Sequence, residues 1–342
     1  MSKTNVQHSP TGEPPQTLDL AHLDDAAFDK LYGGQIEQPL LAREAERQSD
    51  VSKFWLRLVP GCLAVVALAY AAISSEWYEI GWIGGVVGLG AVVSFSYWPL
   101  STLYTQVKYR MLTTIADAIG CHYKSIGFET PAVPRMLELG LLPRYDRASY
   151  EDSFTGQRFK CAFDLFEANL EEKHQTKNGT SYSTVFRGQI VRVAFPKKFL
   201  GITIVRRDRG LFNFMNHFGN GKLQRVGLES SKFEHDFEVY ASDQVEAREL
   251  VHPVFMERLL ALESHFDGRR IRCAFQDGDL LLAVEGRNRF ELGSMFRPLA
   301  DPARVGVVVN DIAEILRLID SMLTSERAPL LALGNTDLPA DA

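Results

Sequence analysis

Two uncharged stretches, residues 58–75 and 80–107, are separated only by a short connection that carries Glu76 and Glu79. A helix rises about 1.5 Å per residue and needs roughly 20 apolar residues to cross a hydrocarbon core about 30 Å thick. The first stretch is close to that length and the second exceeds it. The pair therefore reads as a transmembrane helical hairpin over 54–107, with the second helix emerging into solvent from about Tyr104. All 4 tryptophans of the chain fall where membrane interfaces would lie: Trp55 before the first span, Trp77 and Trp82 around the connection, and Trp98 near the end of the second. Amphipathic rings favour the headgroup level. Arg57 is placed to snorkel outward, and Pro60 sits in the first turn of the span, where its missing N–H costs little.

Charge sets the expected orientation. Arg43, Arg47, Lys53 and Arg57 precede the first span and Lys108 and Arg110 follow the second, while the connection has no Lys or Arg. The positive-inside rule then predicts a multi-pass protein of a bacterial inner (cell) membrane, with both termini and the main domain cytoplasmic. Gly81, Gly84, Gly85 and Gly88 form small-xxx-small spacings, matched by Ala67 and Ala71 in the first span. Such spacing serves either close contact within one hairpin or a homo-oligomer through the glycine face. Neither span holds an acid, a base or a histidine, which argues against a proton relay or ion pathway.

The 342 residues leave room beyond the hairpin for one large or two small soluble domains. A formal net charge of −6 makes nucleic acid an unfavoured partner. Cys62, Cys121, Cys161 and Cys273 contain no C-x-x-C pair, which suits a reducing compartment and argues against a zinc site or a disulfide frame. The first 50 residues are polar, so no cleavable signal peptide is expected and the hairpin would direct its own insertion.

Taken in order, residues 1–17 read as a disordered tail and 18–53 as acidic amphipathic and charged helices, the first ended by Gly33-Gly34. After the hairpin, 108–121 keeps helical spacing through Met111, Leu112, Ile115, Ala116 and Ile119 and reads as a helical stalk. Residues 122–325 form the expected cytoplasmic α+β domain, and 326–342 a flexible tail. Within the domain a strand is expected near 122–126, a helix at 134–139 stopped by Gly140, and a loop over 143–157. Segments 158–174 and 181–195 flank Asn178-Gly179, a strong hairpin signal. A strand over 201–207, a short helix over 211–218 and an extended stretch over 223–228 follow. Helices are predicted over 243–250 and 253–265, the second opening on Pro253. A second hairpin, 271–275 with 280–285, turns at Asp277-Gly278, and an amphipathic helix over 302–324 closes the domain. Hairpins with helices outside them, rather than β-α-β alternation, indicate an α+β fold: an antiparallel sheet with flanking helices.

The stretch Leu228-Glu229-Ser230-Ser231-Lys232-Phe233-Glu234, then Phe237-Glu238-Val239-Tyr240, then 243–250 and Pro253, resembles the hallmark of the domain-of-unknown-function 3137 family of bacterial membrane proteins. Phe186-Arg187-Gly188 and residues 275–281 fit the same pattern. The resemblance extends over about 110–330. It implies a membrane anchor ahead of a cytoplasmic domain, and it brings no activity, cofactor or catalytic residue.

The candidate functional surface is basic. Lys197, Lys198, Arg206, Arg207, Arg209, Lys222 and Arg225 face a single acid, Asp208, and are interleaved with Phe199, Phe212, Phe214 and Phe218. Near an anionic leaflet each basic residue is worth about 1 kcal/mol. The surface would thus take membrane lipid headgroups or an acidic protein partner. Stacking of single-stranded nucleic acid on the rings conflicts with the net charge. The competing reading is a solvated charged edge whose phenylalanines belong to the core. The alternative function is a membrane-bound, hydrolase-like enzyme with a site near 229–252, built on Glu229, Glu234, His235, Asp236 and His252. No two histidines fall at i, i+4, however, and Ser230-Ser231 lacks a nucleophile-elbow context and suits a turn or cap. Asp243 and Glu246 have capping-box spacing, and Gly219-Asn220-Gly221-Lys222 lacks the spacing of a phosphate loop. No catalytic residue, cofactor or metal ligand is assigned. The reading is a membrane-anchored cytoplasmic binding or scaffolding module.

Overall fold

The structure is a computed structural model that describes Asp19, Ala21 and residues 25–75, 77–176, 179–195, 198–207, 223–266 and 270–333, with 322–333 as backbone alone. The expected short helix over 211–218, the disordered tail 1–17 and the Asn178 turn residue lie outside these.

Helix α1 (Asp25–Leu31) does not end at the glycine pair. A π-turn over Tyr32–Ile36 absorbs Gly33 and Gly34 and passes directly into α2 (Glu37–Ser74). Tyr32 and Ile36 are buried on one side of that turn, and their packing outweighs the weak helix propensity of two glycines. Trp77 N–H donates back to the Ala72 carbonyl, and α3 (Tyr78–Ala118) returns against α2. Both helices are long and apolar enough to cross a membrane. Only 0% and 11% of their most apolar windows are buried, against the mostly buried state of a soluble core helix.

The glycines explain how the two helices approach. A Cβ at Gly81, Gly85 or Gly88 would meet Ile73, Ala69 or Val65 of α2, and one at Gly61 would meet Val92 of α3. Gly84 has nothing within 4 Å. Three of the four glycines with small-xxx-small spacing are therefore occupied inside the hairpin.

The last turns of α3 do not stand clear of the domain as a spacer. Leu100, Leu103, Val107, Met111, Leu112, Ile115 and Ala116 are buried in its main core. The helix ends where Gly120 adopts φ +70°, and β1 (His122–Lys124) follows. Next come α4 (Ala132–Glu138), β2 (Arg147–Arg158), β3 (Cys161–Thr176), β4 (Gly179–Ala194), β5 (Thr203–Arg207) and β6 (Gln224–Arg225). The chain continues through α5 (Ser231–Asp236), β7 (Phe237–Ala241), α6 (Gln244–Leu250), α7 (Pro253–His265), β8 (Ile271–Gln276), β9 (Asp279–Glu285) and α8 (Pro302–Leu333).

The strands form one antiparallel sheet in the order β1-β2-β3-β4-β9-β8-β5-β7-β6. The α+β reading with two hairpins is thereby met. The turn between β8 and β9 has Asp277 at φ +52° and Gly278 at φ +86°, as a two-residue Asp-Gly hairpin requires. Residues 143–157, expected as loop, instead hold most of β2. A bulge at Asp152, φ +54°, shifts the register between Glu151 and Phe154 and breaks the alternation that would have marked a strand. Helix α8 continues to Leu333, beyond the end expected near Thr324, because extending an existing helix costs far less than starting one.

Both sides of the sheet are covered. Ile271, Cys273, Phe275, Leu280, Leu282 and Val284 face the large core shared with α3, α7 and α8. Ala274, Leu281 and Ala283 face a smaller one under α4, with Phe166, Phe186 and Met136. That two-sided burial accounts for the unbroken apolar run 280–284. At Gly188, φ +153°, a side chain would collide with the Val284 carbonyl, so glycine is needed where β4 meets β9.

Candidate functional site

The register of the central strands gathers four arginines at one end of the sheet. Arg206 on β5 is the direct partner of Arg272 on β8, and both side chains lie on the α4 side, the side of Ile204 and Ala274. Arg206, Arg207, Arg270 and Arg272 line a cavity of about 290 Å³ together with Gly140 and Ile271. Gly140 caps α4 at φ +64° and presents no side chain to this space. Arg272 donates to the Leu141 carbonyl at 2.8 Å and to Glu285 at 3.0 Å. Arg270 lies 4.0 Å from the same Glu285 carboxylate. Burial, with the charges of Arg270 and Arg206, pulls the Arg272 pKa below its ordinary value against the pull of Glu285. Arg207 points to the other side, between Asp236 at 3.2 Å and Glu263 at 2.8 Å.

Of the seven basic residues singled out in the sequence, Arg206 and Arg207 fall in this cavity. Arg225 on β6 is exposed and stands 3.8 Å from Glu238. Lys198 is exposed outside the cavity lining, and Lys197, Arg209 and Lys222 lie outside the described residues. Phe199 packs against Phe195 and Phe275 in the core, as the charged-edge reading expects. Arg270 and Arg272, 64 and more positions away in sequence from Arg206, lie outside that basic run. The available signal is their spacing of two at the start of β8, Arg270 just before the strand and Arg272 within it.

The acids and histidines of 229–252 are occupied by local structure. Ser230 caps α5 by accepting from Phe233 N–H, and Glu234 accepts from Leu228 N–H at 2.8 Å. Asp243 caps α6, while Glu246 accepts from Leu200 and Gly201 N–H groups. His252 Nδ1 accepts from Phe255 N–H at the start of α7. Glu229 and His235 are exposed, and no residue of 229–252 lines the arginine cavity.

A second polar group lies where α3 enters the core. The Lys108 ammonium is 2.7 Å from Asp152 and 2.8 Å from Glu291, and Tyr123 donates to Asp152 at 2.6 Å. Burial opposes charge on Lys108, but the two carboxylates prevail and raise its pKa. Glu151, Asp152 and Glu291 bring carboxylate oxygens within 4.8 Å of one another. Lys108 already supplies the positive charge a metal ion would bring there, so the group works as an ion-pair cluster that joins α3 to β2 and to the 286–301 loop. The same loop reaches the hairpin: Phe296 packs edge-on against Phe54 at 5.3 Å and lies 6.4 Å from Trp55, and Arg47 donates to the Met295 carbonyl.

Residues 184–323 match the family described as protein of unknown function (DUF3137). The resemblance read from 228–253 is thus borne out, the matched segment running from β4 through most of α8. No curated protein matches the sequence. Among solved structures the chain is similar to the mycobacterial trehalose monomycolate transport factor A, TtfA, with 10% identity, a TM-score of 0.32, and coverage of 62% of this chain and 95% of that one.

Proposed function

We propose that the protein is a two-span, membrane-anchored binding module without catalytic activity, whose domain presents the arginine-lined sheet end to anionic lipid headgroups on the cytoplasmic side. The observation that carries this reading is the exposure of the apolar helix surfaces: Leu56, Leu68 and Val87 are 74%, 71% and 66% exposed on helices whose inner faces already pack against each other. A contiguous apolar surface of that extent is stable only against lipid or another protein. The absence of Lys and Arg between the spans favours a cytoplasmic domain.

Register supports a membrane-facing position for the arginines. Glu167 pairs with Gln189, Gln189 with Val284, and Val284 with Ile271, so Arg270 and Arg206 lie close to the level of Glu167 in the sheet. From the end of β9, beside that level, the 286–301 loop rises to the aromatic contacts around Trp55. Full-length protein should remain in the membrane pellet after alkaline carbonate extraction and be released by detergent, with a C-terminal tag shielded in intact cells. Recovery in the soluble fraction would overturn the anchor, and an externally reachable tag would overturn the orientation.

A further inference from the structure

We infer that the hairpin of β3 and β4 is an arm that reaches to the membrane and rests its tip on anionic lipid headgroups, a second point of contact besides the two spans. This contact rests on the two-span anchor proposed above and needs nothing from the arginine-lined cavity.

Contacts with α3 give the direction of the strands. A Cβ at Gly156, the partner of Phe163, would meet the Cys121 Sγ just past the C-terminal end of α3. Asp152, next to the partner of Glu167, bonds instead to Lys108, about three turns back along the helix. β3 therefore runs from Phe163 through Glu167 to Thr176 in the direction that leads from the domain to the two spans.

The far part of the arm stands free of the sheet. β2 stops pairing at Arg147, opposite Glu171, and the outer edge of β4 last meets the chain where the Gly286 N–H donates to the Arg187 carbonyl. Beyond those points, among the described residues, 172–176 and 179–183 pair only with each other, and all are exposed. A two-stranded ribbon open on both faces is marginal by itself. This one is braced: Arg147 lies 4.4 Å over the Tyr182 ring and bonds Glu171, His174 is 2.6 Å from Ser183, and the Lys173 N–H donates to Asp146 at 2.7 Å. The ribbon buries no apolar core, so its use lies at its surface.

Reach and composition point to the membrane. From Glu167 to Thr176 β3 covers about 30 Å, whereas Trp98, the expected interface marker, lies about 15 Å back from Lys108 along α3. The surplus leaves room for inclination of strand to helix and for the bend at the bulge between Leu170 and Glu171. Residues 173–184 hold Lys173, Lys177 and His174 with five serines and threonines and no acid, in a chain of net charge −6. An anionic leaflet favours each basic residue at its surface by about fivefold. Serine and threonine hydroxyls donate to phosphate oxygens, and tyrosine suits the headgroup level. Glu171 and Glu172 stand at the base of the free part, the first held by Arg147.

The test uses the full chain in nanodiscs of phosphatidylcholine and phosphatidylglycerol that carry a headgroup spin-labelled phosphatidylcholine as quencher. A bimane fluorophore is placed on Ser181→Cys near the tip or on Gln157→Cys at the opposite end of the sheet, both exposed positions, and the parent chain treated alike supplies the background from its own cysteines. Quenching should be strong at 181 and at background at 157. Lys173→Gln and Lys177→Gln should each shift the contact equilibrium by about fivefold toward the free arm. Background quenching at both positions in an inserted chain would overturn the lipid contact and leave the uncharged β4 edge over 180–185 for an added strand of a protein partner. Equal quenching at both would overturn the direction of the arm. Quenching at 181 that ignores both lysine substitutions would overturn recognition by charge. A chain that does not enter nanodiscs would remove the anchor and the contact with it.

Discussion

Glu167 stands in the middle of β3 with 1% exposure, accepting from Gln189 at 2.9 Å and from the Arg289 N–H at 2.6 Å, while its second oxygen is buried without a hydrogen-bond partner. Burial raises its pKa to about 7; the Arg289 and Gln189 hydrogen bonds and Lys108 oppose that shift, and Asp152 adds to it. A carboxyl whose folded pKa is raised stabilises the fold fully below its unfolded pKa, and that contribution is lost as pH rises through the folded value. From about 4.5 to about 7 the change is about 3 kcal/mol. Thermal stability should therefore carry a component that falls between about pH 4.5 and 7. Glu167→Gln, which keeps an acceptor for Arg289, should flatten it. An unchanged pH profile of the unfolding midpoint in this variant would refute the assignment. At the same scale, the arginine cavity was half legible. Arg206 and Arg207 stood out in a basic run, whereas Arg270 and Arg272 join them only because β8 is the neighbour of β5.

Helix α3 belongs at once to the apolar hairpin and to the soluble core, and that double membership is the main feature at the level of elements. Gly81, Gly85 and Gly88 fit it against α2, and Met111, Leu112 and Ile115 fit it against the sheet. Its two ends are held in one rotational phase, since each added residue turns a helix by about 100°. Insertion of a single alanine between Thr102 and Leu103 should rotate Lys108 away from Asp152 and Glu291 and turn the buried stripe out of the core. Limited proteolysis of the purified protein should then cleave within 122–285, where the parent chain resists. Equal resistance would mean that the two parts are not coupled through α3. The periodicity of 108–119 was plain in the sequence, but an apolar helical stripe does not reveal whether its partner is close at hand. The β2 strand was hidden for the opposite reason, its alternation interrupted by the bulge that places Asp152 beside Lys108.

For the molecule as a whole, the hairpin is a structural part of the domain as well as an anchor. Leu40, Phe54, Leu100 and Leu103 from its flanks share the core with Phe290, Leu292, Met295 and Leu299 of the 286–301 loop. A fragment beginning at residue 122 would expose the whole face that α3 covers and should aggregate on expression. A soluble, monodisperse fragment with cooperative thermal unfolding would show that the domain folds alone. The sequence by itself determined the two apolar helices, the two hairpins, the caps at Ser230, Asp243 and Pro253, and the DUF3137 signature, because each rests on contacts between residues close along the chain. Strand order, the joining of α3 to the sheet, and the union of Arg206 with Arg272 were decided only by the tertiary structure. Those arrangements depend on which distant surfaces bury one another, and no local periodicity carries that information.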